Sequence, residues 1–190
     1  MYKQFKRSAA LGFTLIELLI VVIILAILAA IVIPQFTNTT VDAKESTLDA
    51  NLGAMRSAIE LYKIQHNGLY PGAALSNAGA GCASPGVKGT AAAIGAQAFI
   101  DQMTAATDAA GNSCTIADTT YKYGPYLRQN IPVEPIANKG SLAAEIVATA
   151  TGAAIVPTAA TGGWAIDTKS GQIVMNSNAN DSKAVPYYKH

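Results

Sequence analysis

Charge is scarce in this 190-residue chain. Lys, Arg, Asp and Glu together make up 13%, about half their usual share in a soluble protein. Thirteen bases against twelve acids leave a formal net charge of +1, which argues against a generic polyanion binder. So little charge beside 51% hydrophobic residues excludes intrinsic disorder, which needs the opposite balance. Histidine and cysteine are also rare, two of each. Neither His66 nor His190 has a neighbouring Cys or acid at metal-ligand spacing. A phosphate-binding loop is missing too: Gly79, Gly81 and Gly86 lie in a small-residue stretch without a Lys-Ser/Thr sequel. With no catalytic constellation, neither an enzyme nor a cofactor is expected.

The charge that is present is distributed unevenly. Lys3, Lys6 and Arg7 fall within the first twelve residues, which hold no acid. The remainder carries ten bases and twelve acids, a net of −2. Phe13 to Ile33 reads FTLIELLIVVIILAILAAIVI, and nothing polar occurs from Leu18 to Ile33. As a helix this run would be about 32 Å long at 1.5 Å per residue, matching a hydrocarbon core of roughly 30 Å. β-Branched residues abound in it, yet in lipid the segment must satisfy its own backbone, so helix prevails over strand. A cleaved secretory signal needs two small residues two apart near the end of the run. Ala26, Ala29 and Ala30 do not give that spacing. A basic tip, an apolar rod and a near-neutral body form a membrane-targeting layout, with the basic end retained inside.

Glu17 interrupts the rod. A lone carboxylate costs about 2.5–3.5 kcal/mol at the bilayer centre, less towards an interface. A cut between Gly12 and Phe13 would relieve it. Phe13 would then carry a free ammonium, and Glu17, four residues on, would share its helix face. It would also sit in the positive first turn of the new helix.

Gly12-Phe13-Thr14-Leu15-Ile16-Glu17-Leu18-Leu19, with the basic leader before it and the apolar run and Pro34 after it, resembles a known motif. It is the prepilin cleavage and methylation motif of type IV pilins and type II secretion pseudopilins. The resemblance implies processing at Gly12 and Phe13 by a membrane-embedded prepilin peptidase, which also methylates the Phe13 amine. It implies assembly through Phe13, Glu17 and Pro34 into a helical homopolymer by inner-membrane machinery. The chain is then the substrate of an enzyme and a structural subunit, with the filament serving adhesion, motility or DNA uptake. Its location is the inner membrane, single-pass with the head outside the cytoplasm, and afterwards the cell-surface pilus. The alternatives are a type II secretion pseudopilin and a membrane-tethered binding domain with an uncleaved anchor.

The implied fold is α+β, a long N-terminal helix packed on a small antiparallel sheet. Residues 1–12 are the leader, 13–34 the transmembrane or filament-core helix, 35–66 its amphipathic continuation, and 67–190 the head. Pro34 predicts a kink or local melting near Ala30–Pro34. Beyond it Leu48, Leu52, Met55, Ile59 and Tyr62 are spaced 4, 3, 4, 3, one helical stripe. Asp42, Lys44, Glu45, Asp49, Arg56, Glu60 and Lys63 form the polar face, and Asn67-Gly68 marks the stop. Leu69-Tyr70-Pro71 resembles the step that closes the long helix in many pilins. Ala91–Ala106 predicts a short helix with Ile94, Ala98, Phe99 and Met103 inward and Gly95 in its interior. Tyr123–Leu127 and Ile131–Pro135 read as a tying loop. Strands are expected at Glu145–Ala150, Gly163–Thr168 and Gln172–Asn176, the last two as a hairpin. Trp164 reads as a core anchor. The tail after Asn176 is expected to be loose, with Val185 and Tyr187-Tyr188 offering an edge strand.

An even cysteine count in an exported head predicts a Cys82–Cys114 disulfide. It closes a loop worth about 3–4 kcal/mol in chain entropy on the loop-closure account. Asn176, Asn178, Asn180 and Asp181 form a weak calcium candidate, with Asp167 nearby. Calcium wants six or more oxygens, and a solvated turn is the simpler expectation. Lys122, Lys139, Lys169, Lys183 and Lys189 give no strong nucleic-acid binding to a subunit whose processed form is net negative.

Overall fold

The computed structural model describes residues 12–79 and 81–190, and for residues 34–38 the backbone alone. The leader cations Lys3, Lys6 and Arg7 lie outside the described residues. Helix α1 spans Leu15–Gln65. The expected melting at Ala30–Pro34 does not occur, for the backbone is helical through Pro34. A proline deletes one N–H donor, and the turns on either side remain bonded. The chain divides into two compact units at Val41/Asp42. In the first, the Leu15–Ile33 side chains are all exposed.

In the second unit the α1 stripe is the floor of the core. Leu48, Leu52, Met55, Ile59 and Tyr62 are each at most 2% exposed. Truncating a buried Leu to Ala costs about 2–5 kcal/mol. The stripe is longer than its apolar part: Glu45 and His66, one turn beyond either end, are also buried. Glu45, expected on the polar face, is turned inward. It accepts from the Ser182 amide (2.8 Å) and hydroxyl (2.7 Å). The helix stops where Asn67 (φ 56) and Gly68 (φ 86) turn left-handed, and the Gly68 amide bonds back to the Lys63 carbonyl at 2.9 Å. That is a Schellman cap, with Asn tolerating the strained position.

Helix α2 runs Ala96–Thr104 and buries Ala98, Phe99, Gln102 and Met103. Gly95 is its N-cap, with φ 124, so it begins the helix where an interior position was expected. Ile94 therefore falls outside and is 56% exposed. Strands β1 (Ala106–Thr107) and β2 (Ser113–Cys114) form a small hairpin that the weak local periodicity did not announce.

Three strands, β3 (Ile146–Thr149), β4 (Trp164–Asp167) and β5 (Ile173–Met175), make the main sheet in that order. β4 and β5 are the expected antiparallel hairpin, with Trp164 opposite Met175. β3, however, pairs parallel to β4, so the sheet is mixed. The segment between them, residues 150–163, is long enough for the crossover a parallel pair requires. It is held beside β5, with the Ile155 amide on the Gln172 side-chain oxygen (2.9 Å) and the Gly162 amide on the Asn176 carbonyl (3.0 Å), and β4 is buried along its whole length. Trp164 and Ile166 join the core with α1, α2, Ile131 and Tyr187. Trp164 also donates its indole N–H to the Pro132 carbonyl, 2.8 Å away. The tail ends in a 3-10 turn, Tyr187–Lys189, in place of an edge strand. It is tied down by Glu45 and by Arg56, which donates to the Ile173 and His190 carbonyls (3.2 and 2.9 Å).

Asp167, 1% exposed, pins the crossover. It accepts from the Thr151 amide (2.8 Å), the Thr149 hydroxyl (2.9 Å), the Gly152 amide (3.1 Å) and the Ser170 amide (2.8 Å). Burial alone would raise its pKa. The Ser170, Gly152 and Thr151 amides and the Thr149 hydroxyl outweigh that and hold it below the usual carboxylate range. His66 is fully buried between the Tyr62 carbonyl (2.8 Å) and the Thr107 hydroxyl (2.9 Å). Burial lowers its pKa, although the Tyr62 carbonyl works the other way. Both groups therefore stabilise the fold most above their ordinary pKa values and lose that contribution as pH falls. Thermal melts should show stability declining from about pH 6.5 downward through His66 and again below about pH 4 through Asp167. Asp167→Asn should cost about 2–3 kcal/mol at neutral pH, because an amide nitrogen then faces amide donors; an unchanged melting curve would refute this.

Candidate processing and assembly site

The start of α1 is where the sequence concentrates its signal. Gly12, Phe13 and Thr14 are outside the helix, and Phe13 is 84% exposed. Thr14 is the N-cap: its carbonyl takes the first helical bond, from Leu18 (3.3 Å). Its hydroxyl oxygen lies 3.3 Å from the Glu17 amide that it caps. Glu17 reaches back to accept from the Thr14 amide at 2.8 Å and from the Thr14 hydroxyl at 2.7 Å. This reciprocal arrangement is a capping box.

The carboxylate that looked isolated in the sequence thus has two donors in its own chain. Thr14 is the capping partner missed by reasoning from charge alone. Its signal, Thr-x-x-Glu ahead of an apolar run, was present in the letters. The geometry places the acid at the mouth of the rod, one turn from the Gly12–Phe13 bond. Leu15–Ile33 is the one stretch among the described residues long and apolar enough to cross a membrane. Pro34 continues the helix, and its side chain lies outside the described set.

Other predicted site residues are brought together differently. Cys82 and Cys114 are disulfide-bonded, with Cα atoms 5.9 Å apart, and fasten the loop after α1 to β2. Three of the calcium candidates have partners within the chain. Asn176 donates its side-chain amide to the Thr161 hydroxyl (2.8 Å), and Asn178 to the Thr158 carbonyl (2.9 Å). Asp181 accepts from the Lys183 and Val185 amides (2.8 and 2.7 Å). Asp167 is fully engaged with its own loop. Among the described residues no three His, Cys, Asp or Glu side chains cluster to hold an ion. These asparagines instead hold the crossover to the sheet end.

Comparison with known proteins agrees with this geometry. A family model described as the prokaryotic N-terminal methylation motif matches residues 7–33. The type IV major fimbrial protein FimA of Dichelobacter nodosus is 38% identical over 109 residues, 56% of this chain and 70% of that protein. The chain belongs to the type IV pilin and pseudopilin family. Other members match over shorter stretches. The type IV narrow pilus major component of Thermus thermophilus is 45% identical over 60 residues, 32% of this pilin-like chain and 52% of the relative. The type II secretion system core protein G of Pseudomonas aeruginosa is 41% identical over 66 residues, 35% of this chain and 46% of the relative. The chain thus spans about half the length of these two relatives. No solved structure matches it.

For this family member, non-reducing mass spectrometry of native protein should recover a Cys82–Cys114 crosslinked peptide. Two alkylatable thiols would contradict the pairing.

Proposed function

We propose that this chain is a structural subunit of a type IV pilus-like filament, made ready by a cut between Gly12 and Phe13. The observation that carries the reading is a single acid, Glu17, held at the first turn of an otherwise uncharged apolar helix. A permanent lipid anchor gains nothing from such a charge. A polymerising rod does: each new Phe13 ammonium can pair with a neighbouring Glu17 and cancel two charges in apolar surroundings. A misplaced subunit would leave both unpaired at high desolvation cost, so the pair sets the stagger.

The role is therefore assembly and not catalysis; the prepilin peptidase is the enzyme and this chain its substrate. Cleavage removes three positive charges with the leader. Mature helices then exchange lipid contacts for helix–helix packing. One heterologous contact repeated along an axis gives an open helical polymer. An inner-membrane machine would drive it, with the subunit single-pass before assembly and on the cell surface afterwards.

The second reading is a type II secretion pseudopilin, favoured by the 41% identity to core protein G. That similarity covers 66 residues. The similarity to FimA extends over 109, more than leader and α1 together, and supports the pilin reading.

Electron microscopy of sheared surface material, with N-terminal sequencing of its main band, tests the proposal. Long fibres whose subunits begin at Phe13 are expected. An intact Met1 on the mature protein would support an uncleaved tether and overturn the filament reading. Glu17→Val should leave the protein cleaved and membrane-resident while lowering fibre yield at least about tenfold, as loss of a buried ion pair demands. Normal fibres from that variant would remove the register argument.

A further inference from the structure

Among its uncovered apolar spots the head has two whose neighbouring charges are opposite in sign. The first is a socket of about 260 Å³, lined by Leu69, Tyr70 and Ala73 after α1 and by Ile94, Ala150 and Lys169. Leu69 and Ile94 are exposed within it. Its backbone is fixed by the Gly95 amide on the Gly72 carbonyl (2.9 Å) and by the Lys169 amide on Asp167 (3.0 Å). The Lys169 stem runs beside Gly152. Its ammonium has no hydrogen-bond or ion-pair partner among the described residues. Lys63 and Glu60, the other charges at Tyr70, pair with one another (3.6 Å).

The second spot is a knob. Val87 is 61% exposed and Ile116 41%. They are brought to neighbouring positions by two hydrogen bonds, from the Thr115 amide to the Val87 carbonyl (2.9 Å) and from the Val87 amide to the Thr115 hydroxyl (2.8 Å). The Cys82–Cys114 disulfide anchors the loop that carries them. Asp118, two residues beyond Ile116, accepts from the Thr120 and Tyr121 amides (2.7 and 2.8 Å). Among the described residues no cation pairs with it. Lys88 is turned away to the Gly79 carbonyl (2.7 Å). Asp49 and Glu60, also exposed, are already engaged by His190 and Lys63.

We propose that the knob of one subunit seats in the socket of the next, with Asp118 on Lys169; the contact rests on the filament reading and names where successive heads meet. Burying Val87 and Ile116 against Leu69 and Ile94 supplies attraction. The charge pair at the rim sets orientation. The anionic patch and the cationic one are different surfaces of the same chain. The contact is therefore heterologous and repeats from copy to copy without having to close.

Carbodiimide coupling of sheared fibres, which joins an ammonium directly to a carboxylate it touches, tests this. The dimer band should yield a Lys169–Asp118 crosslinked peptide. Asp118→Asn, which keeps an oxygen for the Thr120 and Tyr121 amides, should abolish that peptide. Lys169→Glu alone and Asp118→Lys alone each set like charges together and should lower fibre yield by about tenfold or more. Combining the two restores opposite charges with the partners exchanged, and yield should return to within about threefold of the unmodified chain. Yields are compared in chains that retain the Cys82–Cys114 disulfide as the mark of a folded head. A dimer band with Lys169 coupled to a different acid would overturn the contact. So would single reversals that leave yield unchanged, or a double variant no better than either single one. Those results would leave the filament reading standing, whereas an unmodified chain that forms no fibres would sink that reading and the contact with it.

Discussion

A backbone amide removed from water must find an acceptor, and this requirement organises both halves of the molecule. The apolar rod meets it by being helical, which satisfies every amide except those of the first turn. There Glu17 supplies an oxygen to the Thr14 amide and Thr14 one to the Glu17 amide. Glu17 thus both accepts from the Thr14 amide and is itself capped by the Thr14 hydroxyl. The charge at the start of the apolar segment therefore has hydrogen-bond donors within its own chain.

The head has little regular structure with which to meet the same demand. Among the described residues its five strands are two to four residues long. Side-chain oxygens take the place of ladders. Asp101 collects the Ser76 hydroxyl (2.6 Å) and the Thr90 and Ala91 amides (2.7 and 3.2 Å). Gln102 accepts from Gly72 (2.7 Å) and donates to the Gly111 carbonyl (2.8 Å). Glu134 holds the Ile136 and Gly163 amides (2.7 and 3.2 Å), and Asp167 holds the crossover. Each is a single point whose loss strands several donors at once. Three of the chain's twelve acids, Asp101, Glu134 and Asp167, are engaged in this way by its own loops.

The close approaches follow from the same economy of structure. Gly171 sits at φ 73 in the β4–β5 turn, where a side chain would enter the Tyr70 ring. Tyr70 in turn receives Lys63 on its hydroxyl at 2.7 Å. The turn after α1 and the turn of the hairpin are therefore set against one another, and the Tyr-Pro step seen in the sequence becomes a contact between them. Tyr126, from the tying loop, closes the other side by donating to Gln65 at 2.6 Å.

The sequence by itself determined the elements whose signal is local. The apolar rod, the 4-3-4-3 stripe, the Asn-Gly stop, the β4–β5 hairpin and the Thr14–Glu17 cap each depend on residues within one or two turns. Tertiary structure alone decided that Glu45 and His66 extend the stripe inward, that β3 lies parallel to β4, and that Gly95 begins α2. It also decided that the asparagines near the sheet end hold a loop and that the tail is fastened. These outcomes rest on partners 15 to 142 residues away. Periodicity reports which face of a segment is apolar. It is silent on which distant amide a buried carboxylate will meet, because that is fixed only when the chain has closed around it.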